Sequence, residues 1–230
     1  NAALENLYTQ FFDAKIYGPI LRLEFIDVEI IEEAIKQLRT SRVEDIIAQG
    51  YLNFEVPIIE ELVEQYRFLT MRYDIVVTNP PYMGSNGMEA KLSKYVKKFY
   101  PNTKSDLFAV FMDVSSNITK NYGYYAMINQ QSWMFLISYE KLREVILKDK
   151  TIINMVHTGA RTFPEIGGEV VQNTSFIFLN NAINSYHGRY VRLVGFNNAE
   201  EMIGNLNNIH NNFYVTHNKF KLIPGSPIAY

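Results

Sequence analysis

The pattern of apolar and polar positions predicts a helical first third, followed by strands and helices in alternation. Over residues 27–71 apolar side chains return every three or four positions. Asp27 can cap a helix whose apolar face is Val28, Ile31, Ile35 and Leu38. Ser41-Arg42-Val43-Glu44 is a capping box that predicts a second helix, ending at Gly50. Pro57 suits the first turn of a third, with Ile58, Leu62, Tyr66 and Leu69 on one side. The exposed positions are mostly acidic, which suits a packing layer and connector better than a surface for DNA. Ahead of these helices, Gly18-Pro19 reads as a turn and Leu21-Arg22-Leu23 as a short strand.

The period changes at Tyr73. Ile75-Val76-Val77 is an unbroken β-branched run, the mark of a strand covered on both faces. Ser105 is placed to cap a helix with Leu107, Val110, Phe111, Val114 and Ile118 inward, closed by Gly123. Further strands are predicted at Tyr124–Asn129, Thr151–His157, Asn173–Leu179 and Arg189–Val194, with a helix over Ser138–Lys148. Two strand–helix–strand units in succession require parallel strands joined by crossover helices. The expected fold is therefore α/β, a mostly parallel sheet with flanking helices. Three parts follow: a helical connector over 1–72, a catalytic half-domain over 73–196, and an Asn-rich linker over 197–230.

Composition narrows the functions available. With 230 residues, 47% of them hydrophobic, the chain can build one sizeable core and an appendage. A formal charge of -2 and a pI near 6.1 exclude a globally basic nucleic-acid binder, so any contact with DNA must use a local basic surface. There is no cysteine, hence no disulfide or thiol chemistry, which fits an intracellular, cytoplasmic protein. No run reaches the roughly 18–20 apolar residues of a membrane span. The four histidines lack metal-ligand spacing, so no metal is expected. Both ends read as cut from a longer chain.

The chemistry concentrates where the Ile75 strand stops. Pro80 lacks an N–H and holds Asn79 extended, and Pro81 does the same to Pro80. Asn79 and Pro80 thus offer two fixed acceptors at the carboxyl end of a strand, where open α/β sheets bind ligands. Two acceptors gripping the hydrogens of an exocyclic amine favour the pyramidal nitrogen that attacks an electrophile. Tyr82 can stack on the ring that bears the amine, worth roughly 1–3 kcal/mol per base. A sulfonium methyl as electrophile requires no strong base, and fixed dipoles carry the larger share of the catalysis.

Tyr73–Tyr82 resembles the catalytic motif of amino-methyltransferases that use S-adenosylmethionine. Val77–Gly84, Ala90-Lys91-Leu92-Ser93 and Lys104-Ser105-Asp106-Leu107-Phe108 narrow the likeness, as do Ser132-Trp133-Met134-Phe135 and Gly167-Gly168-Glu169-Val170-Val171-Gln172. Together they resemble the adenine-specific DNA methyltransferases of BREX phage defence and their restriction-modification relatives. The resemblance implies a Rossmann-like fold and methylation of adenine N6 in double-stranded DNA, with the target base flipped out. It implies Asn79 and Pro80 on the amine, and Tyr82 and Phe163 stacking on the base. For S-adenosylmethionine it implies Asp13, Thr78, Ser105, Asp106 and Leu107. The residues alone leave other roles open: a cap or surface role for Asp13, capping for Ser105 and Asp106, and core packing for Phe163.

Met83–Thr103 is a long stretch in which Lys91, Lys94, Lys97 and Lys98 interleave with Tyr95, Phe99 and Tyr100, and Lys104 follows it. It suits phosphate contacts and stacking, and equally an amphipathic solvated helix over 89–99. No glycine-rich turn follows a strand upstream of Asn79. The main cofactor-binding half is therefore expected outside this chain, which alone should bind S-adenosylmethionine weakly or not at all and be inactive. A sheet beginning at Ile75 would leave an open edge and invite self-association. Two rival functions remain: methylation of a protein glutamine or an RNA base, and a non-catalytic DNA- or protein-interaction module.

Overall fold

The computed structural model describes residues 2–40, 46–159, 172–196 and 198–230. It forms two compact units, Asn1–Met71 and Arg72–Tyr230. The first contains α1 (Ala2–Phe11), α2 (Ala14–Tyr17), α3 (Val28–Thr40) and α4 (Ile46–Thr70). Its core joins Leu7 and Phe11 of α1 to Val28, Ile31 and Ile35 of α3 and to Val56, Ile59, Val63 and Tyr66 of α4. The ion pairs Arg39–Glu60 (2.8 Å) and Arg67–Glu32 (2.7 Å) span α3 and α4 at the surface.

The α3 face matches its apolar period, but two predicted helices are one. Gly50 and Pro57 both lie inside α4, a single 25-residue helix. Proline removes one backbone bond and would ordinarily break a helix. Here Val56, just before it, and Ile59, two positions after it, are fully buried and hold both halves in one packed face. That face is Val56, Ile59, Val63 and Tyr66; Ile58, assigned inward from the sequence, is 49% exposed. Leu21-Arg22-Leu23 forms no strand. The capping box at residues 41–44 lies outside the described residues.

The second unit holds β1 (Tyr73–Thr78), α5 (Ala90–Phe99), α6 (Leu107–Ile118), β2 (Thr119–Gln130), α7 (Glu140–Asp149), β3 (Thr151–Gly159) and β4 (Asn173–Leu179). These are followed by β5 (Gly188–Arg192), α8 (Ala199–Asn205), β6 (Asn212–Val215) and α9 (His217–Phe220). The six strands form one sheet in the order β1-β2-β4-β3-β5-β6. β1 and β2 are parallel, as are β3 and β5, whereas β4 runs against both its neighbours and β6 against β5. Four strands therefore share one direction, as expected of crossover units, but β4 and β6 run against it, so three of the five pairings are antiparallel and the sheet is mixed rather than mostly parallel. The Asn-rich stretch after Asn197 has no readable period, yet it supplies β6, and Phe220 and Ile228 beyond it are buried in the core.

Alternation along the strands sorts the two faces. Tyr125 and Met127 of β2, Phe176 and Phe178 of β4 and Met155 of β3 point to one side. There they meet Phe108 and Met112 of α6, Leu142 and Ile146 of α7, and fully buried Trp133. Arg143 on α7 is buried too, donating to the carbonyls of Trp133, Leu136 and Gly225 and so tying α7 to the chain's last residues. The opposite face is bare near β1: Ile75 is 67% and Val77 73% exposed. Gly123, read as a helix stop, lies within β2 where the β1–β2 register shifts. A Cβ there would stand 2.7 Å from the Asp74 carbonyl oxygen, which only glycine avoids.

Candidate active site

The β-branched run of β1 pairs residue by residue with β2, Val76 against Tyr125 and Thr78 against Met127. The ladder then stops at Asn79, where proline begins. Asn79 is exposed and Pro80 buried, so the chain is anchored immediately after a free amide side chain. A cavity of about 520 Å³ opens beside this tip, over the bare sheet face. Thr78 and Asn79 line it with Ala126, Ile128, Asn154 and Ser175. A cleft of similar size between α3 and α4 is rimmed by the paired Arg39, Glu60, Arg67 and Glu32 and holds none of the motif.

Tyr82 is pinned from two sides. Its hydroxyl donates to Asn173 Oδ1 at 3.1 Å, reaching the first residue of β4. Its ring meets Phe108 edge-on, with centroids 6.2 Å apart. Burial, then the nearby Asp106 carboxylate, push its pKa above the ordinary tyrosine value, so the hydroxyl stays a donor. Asn173 and the buried Asn129, whose Oδ1 accepts from Trp133 Nε1 at 3.2 Å, were not singled out from the sequence. The available signal was an asparagine at the end of each apolar strand.

Asp106 closes the stretch that follows. Its Oδ1 accepts from Met83 N at 3.0 Å and from Phe108 N at 3.2 Å, making Asp106, rather than Ser105, the cap of α6. Leu107 N donates to Met83 O at 3.1 Å and Ser85 N to Ser105 O at 2.9 Å. Residues 83–106 thus form an excursion whose two ends are sewn together directly after Tyr82. Burial raises the Asp106 pKa above the usual carboxylate range, against three backbone N–H groups that lower it. Within the excursion lies α5, so the helix expected over 89–99 is present.

A second polar group lies at the same end of the sheet. His157 of β3 meets Gln131 Oε1, and Gln131 Nε2 donates to Gln172 Oε1, one residue from Asn173. Desolvation, then Arg192, push His157 down to about 4, so it is neutral near pH 7 and donates through Nε2. The structure therefore gathers Thr78, Asn79, Pro80, Tyr82, Ser105, Asp106 and Leu107 around the end of β1. Asp13 lies in the first unit, at the start of α2. Phe163 lies outside the described residues. Among those described, no group of acids and histidines could hold a metal ion, and no helix is long and apolar enough to cross a membrane.

What the residues can hold differs for the two reactants. An exposed amide on a fixed backbone, beside a pinned aromatic ring, suits a flat amine-bearing acceptor. For S-adenosylmethionine the fit is poor: the Asp106 carboxylate is engaged with the backbone, Leu107 is buried, and among the described residues no strand precedes β1.

The chain is 44% identical over 221 residues to the adenine-specific methyltransferase BrxX of Escherichia coli O9:H4 (strain HS), covering 96% of this chain and 18% of that protein. It is 46% identical over 181 residues to the adenine-specific methyltransferase PglX of Lacticaseibacillus casei (strain Zhang), covering 75% of this chain and 15% of that one. Among solved structures, a type I restriction-modification assembly superposes with a TM-score of 0.55 at 14% identity, over 71% of this chain and 38% of that one. A type I modification subunit from Vibrio vulnificus YJ016 gives 0.50 at 14% identity, over 83% and 49%. At these identities the likeness is one of fold, a Rossmann-like α/β methyltransferase architecture. The model of the Eco57I restriction-modification methylase family matches residues 6–163. With most of its length matched, the chain belongs to the Eco57I restriction-modification methylase family.

Proposed function

We propose that the natural protein carrying this chain methylates N6 of an adenine flipped out of duplex DNA, in bacterial phage defence or restriction-modification. One observation carries this reading: exposed Asn79 follows the end of β1 and precedes buried Pro80, with Tyr82 pinned by its hydrogen bond to Asn173. Asn79 and the Pro80 carbonyl grip the amine, and Tyr82 with Phe163 stacks on the base. Flipping costs a few kcal/mol, which the stacking offsets. S-adenosylmethionine supplies an electrophilic sulfonium methyl, while this chain's residues orient the amine towards it. Thr78, which lines the cavity, is the residue of this unit best placed to meet the donor. The relatives' adenine-specific activity supports the substrate, and the bacterial cytoplasm is its setting. Incubating the natural protein with methyl-labelled cofactor and, separately, duplex DNA, RNA and release-factor protein tests the reading. Label is expected in DNA adenine alone, and label only in RNA or glutamine overturns it.

This chain by itself should behave differently. Among the described residues β1 is an edge strand that presents Ile75 and Val77 to solvent, an invitation to pair with a second copy. We expect light scattering to give a mass that rises with concentration and that Ile75→Lys with Val77→Lys lowers. A concentration-independent monomer would contradict this. The same preparation should show weak or no heat with S-adenosylmethionine by calorimetry, and micromolar affinity would place the donor's main berth within this chain.

A further inference from the structure

We propose that α5 is a backbone-holding arm: a lysine face that grips the phosphates of the DNA beside the methylated base. The inference deepens the DNA reading above and rests on it. The chain is acidic overall, yet Ala90–Phe99 carries Lys91, Lys94, Lys97 and Lys98 and no acid. By contrast, α3 holds Glu29, Glu32 and Glu33 against Lys36 and Arg39. The four α5 lysines are all exposed, while Val96 is fully buried on the other side and Met88 and Tyr100 seal the two ends. The helix is thus seated by its apolar side, leaving a one-sign face outward.

The arm is also fixed relative to the chemistry. Its two ends are joined by Ser85 N to Ser105 O and Leu107 N to Met83 O, one residue beyond Tyr82. Asp106 locks the same junction from inside, and its carboxylate is turned to the Met83 and Phe108 amides rather than to the lysines. Lys98 Nζ lies 4.7 Å over the Phe99 ring, which itself packs against Tyr95 at 4.6 Å. That contact limits the freedom of a long side chain and lowers the entropy lost on meeting a phosphate. Ten residues of helix span roughly 15 Å, a length over which duplex DNA presents about nine charges. A duplex whose base is held at Asn79 is to run its backbone along this face, whose two ends are joined next to Tyr82.

The test is the salt dependence of binding, because phosphate contacts are sequence-independent and each contributes about 0.9 to the slope of log K against log salt. The probe is a 30-base-pair duplex titrated with the natural protein across a salt series. Lys94→Gln, Lys97→Gln and Lys98→Gln together should weaken binding and lower the slope by about 2–3. A matched variant with Lys141→Gln, Lys148→Gln and Lys221→Gln removes the same charge from exposed positions elsewhere and should leave the slope unchanged. Equal slopes for the α5 variant and the unaltered protein overturn the arm, as does an equal fall in both variants. Unaltered protein that shows no salt-dependent binding to duplex overturns the DNA reading itself, so the two failures are distinct.

Discussion

Asn79→Ala in the natural protein is expected to lower methylation about 10²–10³-fold, equivalent to about 2.7–4 kcal/mol, as loss of one preorganised polar contact to a transition state does elsewhere. Binding to duplex DNA should change less than twofold, within about 0.4 kcal/mol. The reason lies in the local geometry. Asn79 is exposed and its side chain has no hydrogen-bond partner among the described residues, so the fold does not depend on its amide. Its backbone is held by the end of β1 on one side and buried Pro80 on the other, both untouched by alanine. Stability should therefore move by no more than about 0.5 kcal/mol. Label transfer to DNA and a thermal unfolding midpoint measure the two effects. Undiminished methylation by Asn79→Ala would remove the amine-gripping role.

The same contrast explains what could be read in advance. β1 and β4 are legible because their apolar runs end at residues that cannot continue a strand or that turn polar. The tip at Asn79 is legible because proline acts locally, on its own residue and the one before. Pro57 misleads for the complementary reason: its local signal is real, but burial of Val56 and Ile59 outweighs one lost bond. Direction is not local at all, so the reversal of β4 between β2 and β3 leaves no mark on its residues. β6 is four residues long and half-exposed, too short to show a period. Around the site, the roles of Asp106 and Asn173 depend on contacts 23 and 91 positions away, beyond any pattern in the sequence.

Asp106 gives the second large effect, and two substitutions separate its charge from its hydrogen bonds. Asp106→Ala removes the α6 cap, worth about 1 kcal/mol, and orphans the Met83 N–H, worth about 1–3 more. The loss of stability should be about 2–4 kcal/mol on those figures. Methylation should fall with it, since Met83 adjoins Tyr82 and is then untied. Asp106→Asn keeps an oxygen acceptor for both amides and caps a helix as well as aspartate does. It also removes a buried charge, and the direction of the pKa shift says which effect wins. Burial raises the Asp106 pKa despite three favourable backbone N–H groups, so the ionised form is disfavoured in the fold. A carboxyl with a raised folded pKa binds its proton more tightly when folded, and its contribution to stability declines as pH rises from about 4 through that raised value. Asp106→Asn should therefore match or exceed the original protein at pH 7, and this advantage should shrink below the ordinary carboxylate pKa. Urea unfolding of both variants at neutral and acid pH measures this. Equal losses for alanine and asparagine would mean that the carboxylate's charge, not its acceptor oxygen, ties Met83 to α6.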